Sequence, residues 1–143
     1  MRIERIGPRD GAKVIRAGPL FDGPARPEAT SRFLAEPGHH LLIAYEGDEP
    51  AGFISGVEVT HPDKGTEMFL YELAVADAFQ RRGIGKALVG ALAEIARAIG
   101  CYGMFVLTSP SNTAALATYE GAGAEREGEH TMLGWDFTRS DDR

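Results

Sequence analysis

Residues 72–88 read Glu-Leu-Ala-Val-Ala-Asp-Ala-Phe-Gln-Arg-Arg-Gly-Ile-Gly-Lys-Ala-Leu, and the change of pattern within this stretch decides the fold. The part up to Val75 is apolar enough for a strand, whereas apolar residues recur at helical spacing over 83–99 and Gly100 ends that pattern. Residues 102–108 form a nearly continuous apolar run, which predicts a strand buried on both faces. A strand, a helix and a second strand in this order predict a right-handed crossover and therefore a parallel strand pair.

The sequence around this unit predicts the rest of an α/β fold. Upstream, strands are predicted over 2–6, 41–45, 51–60 and 67–75, and helices over 10–17 and 28–35. Gly52 and Gly56 lie within the third of these strands and predict a close backbone approach or a bulge. Downstream, a helix is predicted over 112–121 and a closing strand over 132–137, with Trp135 in the core. We therefore expect one domain over 1–138, a polar tail over 139–143, and a mixed, mostly antiparallel sheet with flanking helices.

Composition and charge argue against several classes of protein. The net charge of −6 at pH 7 disfavours a nucleic-acid-binding role and suits a cationic small molecule, although such a charge also simply keeps a small domain in solution. The sequence shows no apolar run of membrane-spanning length and no signal-peptide pattern, so we expect a cytoplasmic protein. Cys101 is the single cysteine, and we expect it, like His39 and His40, to serve packing or the surface and not a metal site.

The loop before the predicted helix is a candidate anion site. At the start of a helix the first backbone N–H groups lack partners and the helix dipole is positive. Two glycines without Cβ atoms let a phosphate approach these groups, and Arg81, Arg82 and Lys86 add positive charge. The pattern is not a P-loop, because alanine follows the Gly-Lys pair, nor a dinucleotide fingerprint, because Leu88 stands where a third glycine is needed. A glycine-containing turn with solvated arginines is the alternative interpretation.

Two motifs resemble those of the GNAT acetyltransferase superfamily. The first is Gln80-Arg81-Arg82-Gly83-Ile84-Gly85 after Leu73-Ala74-Val75, and the second is Asn112-x-x-Ala115-x-x-x-Tyr119-x-x-x-Gly123. The predicted order of elements is also similar, so the resemblance covers nearly the whole chain. A closer likeness, to the aminoglycoside (gentamicin) 3-N-acetyltransferase branch, is carried by residues 71–75, 81–84 and 20–21, although those relatives have Asp where this chain has Glu72.

The resemblance implies acetyl-coenzyme A (acetyl-CoA) as the cofactor, lying along the strand 67–75. Its pantetheine arm would pair with main-chain groups near Leu73, which requires that strand to splay apart from 102–108. The pyrophosphate would sit on backbone N–H groups over 81–86, and Asn112 would cap its helix or bind the pantetheine arm. The implied cofactor contacts are Leu73, Ala74, Val75, Gln80, Arg81, Arg82, Gly83, Ile84, Gly85, Lys86, Asn112 and Tyr119.

The resemblance also implies direct transfer of acetyl to an amine, with no acyl-enzyme. Glu72 is the candidate base, acting directly or through water, and Glu67 is a weaker alternative. Tyr119 is the candidate proton donor to the departing thiolate, because a phenol is protonated at neutral pH. The competing interpretations are a solvated or ion-paired carboxylate for Glu72 and a core aromatic for Tyr119.

The acceptor is expected to be a cationic small molecule. In this superfamily the acceptor pocket is built from loops that correspond here to 20–28 and 125–131, and Asp22, Glu28 and Glu72 are the candidate contacts. The second loop also carries acidic residues at Glu125, Glu127 and Glu129, and an acidic cluster from both loops would suit a polycation. The narrower expectation is an aminoglycoside that is acetylated at its 3-amino group, which would confer antibiotic resistance. We also expect a homodimer and no metal site. A protein N-terminal or lysine acetyltransferase, a polyamine acetyltransferase and an acetyl-CoA sensor without turnover are the alternatives.

Overall fold

A single five-stranded sheet organises residues 1–138, which are the residues that the computed structural model describes. The strands are β1 (Arg2–Arg5), β2 (His39–Glu46), β3 (Glu49–His61), β4 (Gly65–Val75) and β5 (Met104–Phe105). The helices are α1 (Gly11–Arg16), α2 (Pro27–Ala35), α3 (Ile84–Ala98) and α4 (Thr113–Gly121), with short 3-10 turns over Gly18–Leu20 and Asp77–Phe79. Within these residues no helix is long and apolar enough to cross a membrane, and no group of His, Cys, Asp or Glu has the geometry of a metal site.

The order of strands in the sheet is their order in the chain, and the sheet is mixed. Strands β1 to β4 pair antiparallel with their neighbours, and β5 pairs parallel to β4 after the crossover through α3. These pairings confirm the predicted fold class, including the parallel pair in an otherwise antiparallel sheet.

Two hydrophobic clusters lie on opposite faces of the sheet. On one face α3 and α4 cover the strands through buried residues that include Ile84, Leu88, Leu92 and Tyr119. On the other face the region of α1 and α2 covers them, with Phe53 almost completely buried at the centre. The sheet is therefore covered on both faces, and β4 contributes side chains to both.

The two glycines of β3 are required by close contacts, as the sequence predicted. A Cβ atom on Gly52 would lie 2.9 Å from the carbonyl oxygen of Ala74, and one on Gly56 would lie 2.9 Å from the Met68 sulfur. The register of β3 against β4 also shifts next to Gly56, so the predicted bulge is present. The bulge lies on β4, where Ser55 pairs with Glu72 and Gly56 pairs with Leu70.

The C-terminal part of the chain departs from three predictions. Strand β5 has two residues instead of seven and is only partly buried, because it diverges from β4. The predicted strand 132–137 is wrong, since residues 124–136 have no secondary structure, and Trp135 is 79% exposed, not in the core. A strand needs a neighbouring strand edge for its main-chain hydrogen bonds, and this segment pairs with none of the described strands. The predicted polar tail, 139–143, lies outside the described residues.

Candidate functional site

A gap opens between β4 and β5 at the carboxyl end of β4. The two strands pair only at Met68 with Met104 and at Phe69 with Phe105, while β4 continues to Val75. The main-chain N–H of Ala76 binds the carbonyl of Ala51 on the β3 side at 2.8 Å. Because main-chain groups of successive strand residues point to opposite sides, those of Leu73 and Val75 face the gap, whereas those of Ala74 face β3.

The loop that follows β4 is held by the side chain of Gln80. Its amide nitrogen donates hydrogen bonds to the Val75 carbonyl at 3.2 Å and to the Asp77 carboxylate at 3.1 Å. The guanidinium of Arg82 stacks over the Phe79 ring, with 5.3 Å between the guanidinium carbon and the ring centroid. Gln80 thus braces the turn that leads from the strand to the helix.

The start of α3 has the geometry of an anion cradle. Arg81 and Gly83 both have left-handed backbone, with φ of 66° and 78°, and turn the chain into the helix. No side chain caps α3, so its first N–H groups have no acceptor within the helix. A Cβ atom placed on Gly83 would meet nothing within 4 Å, and Arg82 and Lys86 are exposed beside it. The residues present therefore fit a phosphate group of a bound cofactor at this position.

Gly85 has a different role from Gly83. A Cβ atom on Gly85 would lie 3.3 Å from the Thr118 methyl group and within 4 Å of the Val75 and Leu73 side chains. The absence of a side chain there lets α4 pack closely against the first turn of α3 and the end of β4. This packing brings α4 to the same end of the molecule as the gap.

Tyr119 lies on α4, and its side chain belongs to the hydrophobic cluster against which Leu73 and Val75 pack. Its side chain is buried, and burial raises the pKa of its phenol above the usual 10.0, so the hydroxyl stays protonated at neutral pH. Asn112 caps α4, because its side-chain oxygen accepts a hydrogen bond from the Ala115 N–H at 3.1 Å. The cap is one of the two roles predicted for Asn112.

Glu72 lies on the opposite face of β4, in an apolar groove. Side chains of Met68 and Leu70 point to the α3 face before the bulge, and those of Leu73 and Val75 do so after it. The bulge shifts the alternation by one residue, so Tyr71 and Glu72, although consecutive, both line the groove under α1 and α2. The groove has a volume of about 290 Å³. It is lined by Val14, Phe21, Gly23, Ala25, Ala29, Thr30, Phe33, Leu41, Phe53, Ser55, Tyr71 and Glu72.

Partial burial and a second carboxylate alter the acidity of Glu72. Burial raises the pKa of its carboxyl above the usual 4.5, and the negative charge of Asp22 raises it further. The structure thus brings together Glu72 and Asp22, two of the three predicted acceptor contacts. Glu28 is exposed on α2 and does not line the groove, and residues 125–131 are exposed and line neither described cavity.

Glu67, the alternative base, lies at the closed end of β4. Its carboxylate accepts a hydrogen bond from the Tyr102 hydroxyl at 3.1 Å, next to the point where β4 and β5 are still paired. Glu72 is therefore the carboxylate at the open end of the strand.

The remaining polar candidates have packing roles. His40 is buried, its Nδ1 lies 2.7 Å from the Arg5 guanidinium and its Nε2 lies 2.8 Å from the Glu58 carboxylate. Because arginine can only donate, Nδ1 accepts and Nε2–H donates, which is the neutral form of the ring. Cys101 packs against the α3 cluster, and burial raises the pKa of its thiol.

A larger cavity of about 530 Å³ lies at the end of β4 beside the groove. Arg16, Leu20, Glu49 and Asp77 are among its lining residues, together with residues 74–76. It extends the space around the end of β4 toward the hairpin between β2 and β3.

The aromatic lining of the groove was missed by sequence reasoning. Phe21 and Phe53 are in edge-to-face contact at 4.7 Å, and Phe33 and Tyr71 complete the aromatic lining. The alternation of Phe53 and Ser55 along β3 indicates that both face one side of the sheet, but residues of the 20–25 loop carry no such periodic signal.

The chain is similar to known acetyltransferases. Residues 15–124 match the model of the acetyltransferase (GNAT) family. The N-alpha-acetyltransferase RimI of Mycobacterium tuberculosis is 35% identical over 107 residues, which are 75% of this chain and 65% of the relative. N-acetyltransferase 8B of Rattus norvegicus is 28% identical over 104 residues, 72% of this chain and 47% of the relative. The chain thus spans from about half to two thirds of the length of these two curated relatives.

Solved structures have the same fold. An aminoglycoside acetyltransferase from an uncultured soil metagenomic sample is 26% identical, with a TM-score of 0.78 over 94% of this chain and 98% of that one. A second aminoglycoside acetyltransferase from such a sample, solved with sisomicin, is 22% identical and has a TM-score of 0.83, over 94% of this chain and 96% of that one. At this identity the second similarity establishes the fold alone.

Proposed function

Because the chain belongs to the acetyltransferase (GNAT) family, we propose that it is an N-acetyltransferase that moves acetyl from acetyl-CoA directly to a primary amine of a cationic small molecule. The observation that carries this proposal is the arrangement at the end of β4. Consecutive residues there serve two sides: Leu73 offers main-chain groups to the gap beside α3, and Glu72 offers a carboxyl group to the groove. A cofactor site and an acceptor site would therefore meet at one strand.

Residues around the gap would hold the cofactor. Main-chain groups of Leu73 and Val75 would bind the pantetheine arm, and the N–H groups at the start of α3 would bind the pyrophosphate. Bound acetyl-CoA supplies an activated acetyl group as a thioester. Because the anion contacts are main-chain contacts, side-chain changes at Arg81 or Arg82 are expected to weaken binding only modestly.

Glu72 is the proposed base for the acceptor. A protonated alkyl amine has a pKa near ~10 and no lone pair for attack, so a proton must leave before the nitrogen reacts. The raised pKa of Glu72 makes it a stronger base than an exposed glutamate once it is ionised. Asp22 adds a second negative charge that attracts the ammonium group to the same end of the groove.

Tyr119 is the proposed proton donor to the departing sulfur. Its burial keeps the phenol protonated, which is the form that can donate. The close packing at Gly85 sets the position of α4 and hence of this side chain.

Two acceptor classes have support from particular relatives. An aminoglycoside acceptor is supported by the aminoglycoside acetyltransferase that is 26% identical. Transfer to the 3-amino group and a role in antibiotic resistance are narrower hypotheses that rest on the sequence resemblance alone. An N-terminal amine of a protein is supported by the 35% identity to an N-alpha-acetyltransferase.

A homodimer is the proposed assembly. Met132, Leu133, Trp135 and Phe137 are each at least 77% exposed, within six residues of one another. So much adjoining apolar surface is typical of a protein–protein contact, and a second copy of the chain would cover it.

Thiol release from acetyl-CoA in the presence of gentamicin, spermidine or a peptide with a free N-terminus tests the proposed activity. Release with gentamicin or spermidine, together with N-acetylated product by mass spectrometry, is the expected result. Thiol release with the peptide alone would show that the acceptor is a protein N-terminus and not a small molecule. Binding of acetyl-CoA without thiol release in the presence of any of these amines would contradict the transferase proposal and favour an acetyl-CoA sensor.

A further inference from the structure

The groove beside Glu72 has the composition of a binding site for an apolar group. Its aromatic walls include Phe21, Phe33 and Phe53, and Glu72 is the one charged side chain in a lining whose other polar groups are hydroxyls. We infer that the acceptor is an arylalkyl primary amine, whose ring enters this groove while its ammonium group meets Glu72. This inference rests on the proposed N-acetyltransferase function and specifies its acceptor.

The floor and walls of the groove are preformed by packing. Phe53 is 1% exposed and is held by edge-to-face contact with Phe21, whose ring centroid lies 4.7 Å away. Phe33 reaches the groove from α2 and also contacts the His39 ring at 5.1 Å. Aromatic walls that are already held in place lose little conformational entropy when they receive a ligand ring.

The size of the groove favours a small group. Small-molecule pockets in proteins have volumes of about 300–1,000 Å³, so a groove of about 290 Å³ is at the lower limit. A single ring with a short linker suits this volume, whereas an oligosaccharide would extend outside it toward the cavity of about 530 Å³ at the end of β4.

The distribution of charge favours a single ammonium group. Glu72 is the one ionisable carboxylate among the groove's lining residues, and Asp22 is near enough to raise its pKa. An amine with one positive charge and an apolar remainder matches this lining of one carboxylate among aromatic and aliphatic side chains. A polycation would bring further ammonium groups to a lining that holds no second carboxylate to pair with them.

Comparison of 2-phenylethylamine with ethylamine isolates the contribution of the ring, because both carry the same primary amine. We expect a kcat/KM at least about 10-fold higher for 2-phenylethylamine, since one methylene in an apolar pocket already changes this ratio about 10- to 200-fold. Gentamicin, at equal concentration, is expected to be the poorer acceptor.

A filled groove provides the matched test. Ala29 lines the groove from the exposed side of α2, so Ala29→Phe would occupy part of its volume, whereas Ala35→Phe adds the same ring at an exposed position of that helix outside the groove. Ala29→Phe is expected to abolish the preference for 2-phenylethylamine over ethylamine, and Ala35→Phe to retain it. Equal CD spectra and melting temperatures would show that both variants fold.

The outcomes separate the two proposals. Turnover of ethylamine, spermidine or gentamicin with no preference for 2-phenylethylamine would overturn the acceptor inference and leave the N-acetyltransferase function standing. A preference that Ala29→Phe does not change would also overturn the inference, because the ring would bind elsewhere. No thiol release with any amine would overturn both.

Discussion

Two acidic side chains determine the chemistry expected at the scale of single residues. Glu72 is partly buried in an apolar groove, and Asp22 lies near enough to act on it through its charge. Both influences favour the protonated carboxyl, so Glu72 ionises at a higher pH than a free glutamate. A base must be ionised to accept a proton, and the acidic limit of activity should therefore follow this group.

Removal of the carboxylate at Glu72 should strongly reduce turnover. We expect Glu72→Gln to lower kcat/KM by about 100-fold or more, because a positioned general base contributes about 10²- to 10⁴-fold. Glutamine preserves the size of the side chain, so binding of CoA, measured by titration calorimetry, should be unchanged. A loss below about threefold would show that Glu72 is not the base.

Removal of the charge at Asp22 should shift the pH profile. Since Asp22 raises the pKa of Glu72, Asp22→Asn should lower that pKa and move the acidic limb of the kcat/KM profile to lower pH. Asp63→Asn is the control, because Asp63 is exposed at the distant turn between β3 and β4, where it pairs with His61. An acidic limb that Asp22→Asn leaves in place, or that Asp63→Asn also moves, would contradict the assignment.

The family resemblance identified the single residues of the candidate site. Glu72 was predicted as the carboxylate beside the expected thioester and Tyr119 as part of the Asn112 motif. In the structure Glu72 lies on β4, and Tyr119 belongs to the cluster against which Leu73 and Val75 pack. The roles of Gly83 and Gly85 were treated as one, because a glycine's neighbours in space are not visible in the sequence. The shift in side-chain direction at the bulge, which brings Tyr71 beside Glu72, was also not predictable from period-2 alternation.

At the scale of elements, the contact between α3 and α4 positions one side of the site. The Thr118 methyl group lies 3.3 Å from the position of a Cβ atom on Gly85, and Tyr119 follows Thr118 in the sequence. The position of α4 therefore depends on the absence of a side chain at one residue of α3.

A larger residue at this contact should cost stability. We expect Gly85→Val to lower the free energy of unfolding by about 1–3 kcal/mol, because added methyl groups overpack a close contact. Gly90→Val is the control on the exposed surface of the same helix, where a Cβ atom would meet nothing within 4 Å, and should change stability by less than about 0.5 kcal/mol. Urea unfolding followed by CD measures both. Equal effects of the two substitutions would show that α4 does not depend on Gly85.

The elements were predictable where hydrophobic periodicity is strong and local. All four helices and the first four strands lie within a few residues of their predicted bounds. The prediction of a strand over 132–137 was wrong. Alternating apolar residues indicate that a segment could form a strand, but they do not indicate a neighbouring strand with which it could pair. The short β5 follows from divergence of the parallel pair, which the family resemblance implied but which periodicity does not encode.

At the scale of the whole molecule, the exposed C-terminal segment is the largest departure from a closed core. Trp135 and Phe137 are 79% and 92% exposed, and their apolar surface favours association with another molecule. The net charge of −6 opposes association of two copies of the chain. Apolar burial between two copies would have to outweigh this repulsion.

Sedimentation velocity should therefore show a dimer whose stability depends on this segment. We expect Trp135→Ser to shift the equilibrium toward monomer, and added salt to favour the wild-type dimer by screening repulsion. Ile15→Ser is the control, since Ile15 is 54% exposed on α1, away from this segment in the chain. A wild-type chain that remains monomeric throughout the micromolar range would contradict the proposed assembly.

Amine-dependent thiol release, measured together with the intact mass of the protein, tests most directly whether this chain transfers acetyl from acetyl-CoA to an amine. With acetyl-CoA alone, we expect no burst of thiol and an unmodified chain, because the geometry at β4 supports direct transfer. Addition of 2-phenylethylamine, spermidine or gentamicin should start release, with one N-acetylated amine formed for each thiol. A thiol burst without amine and an acetylated protein would contradict direct transfer, and a bound cofactor with no release to any amine would contradict the N-acetyltransferase function.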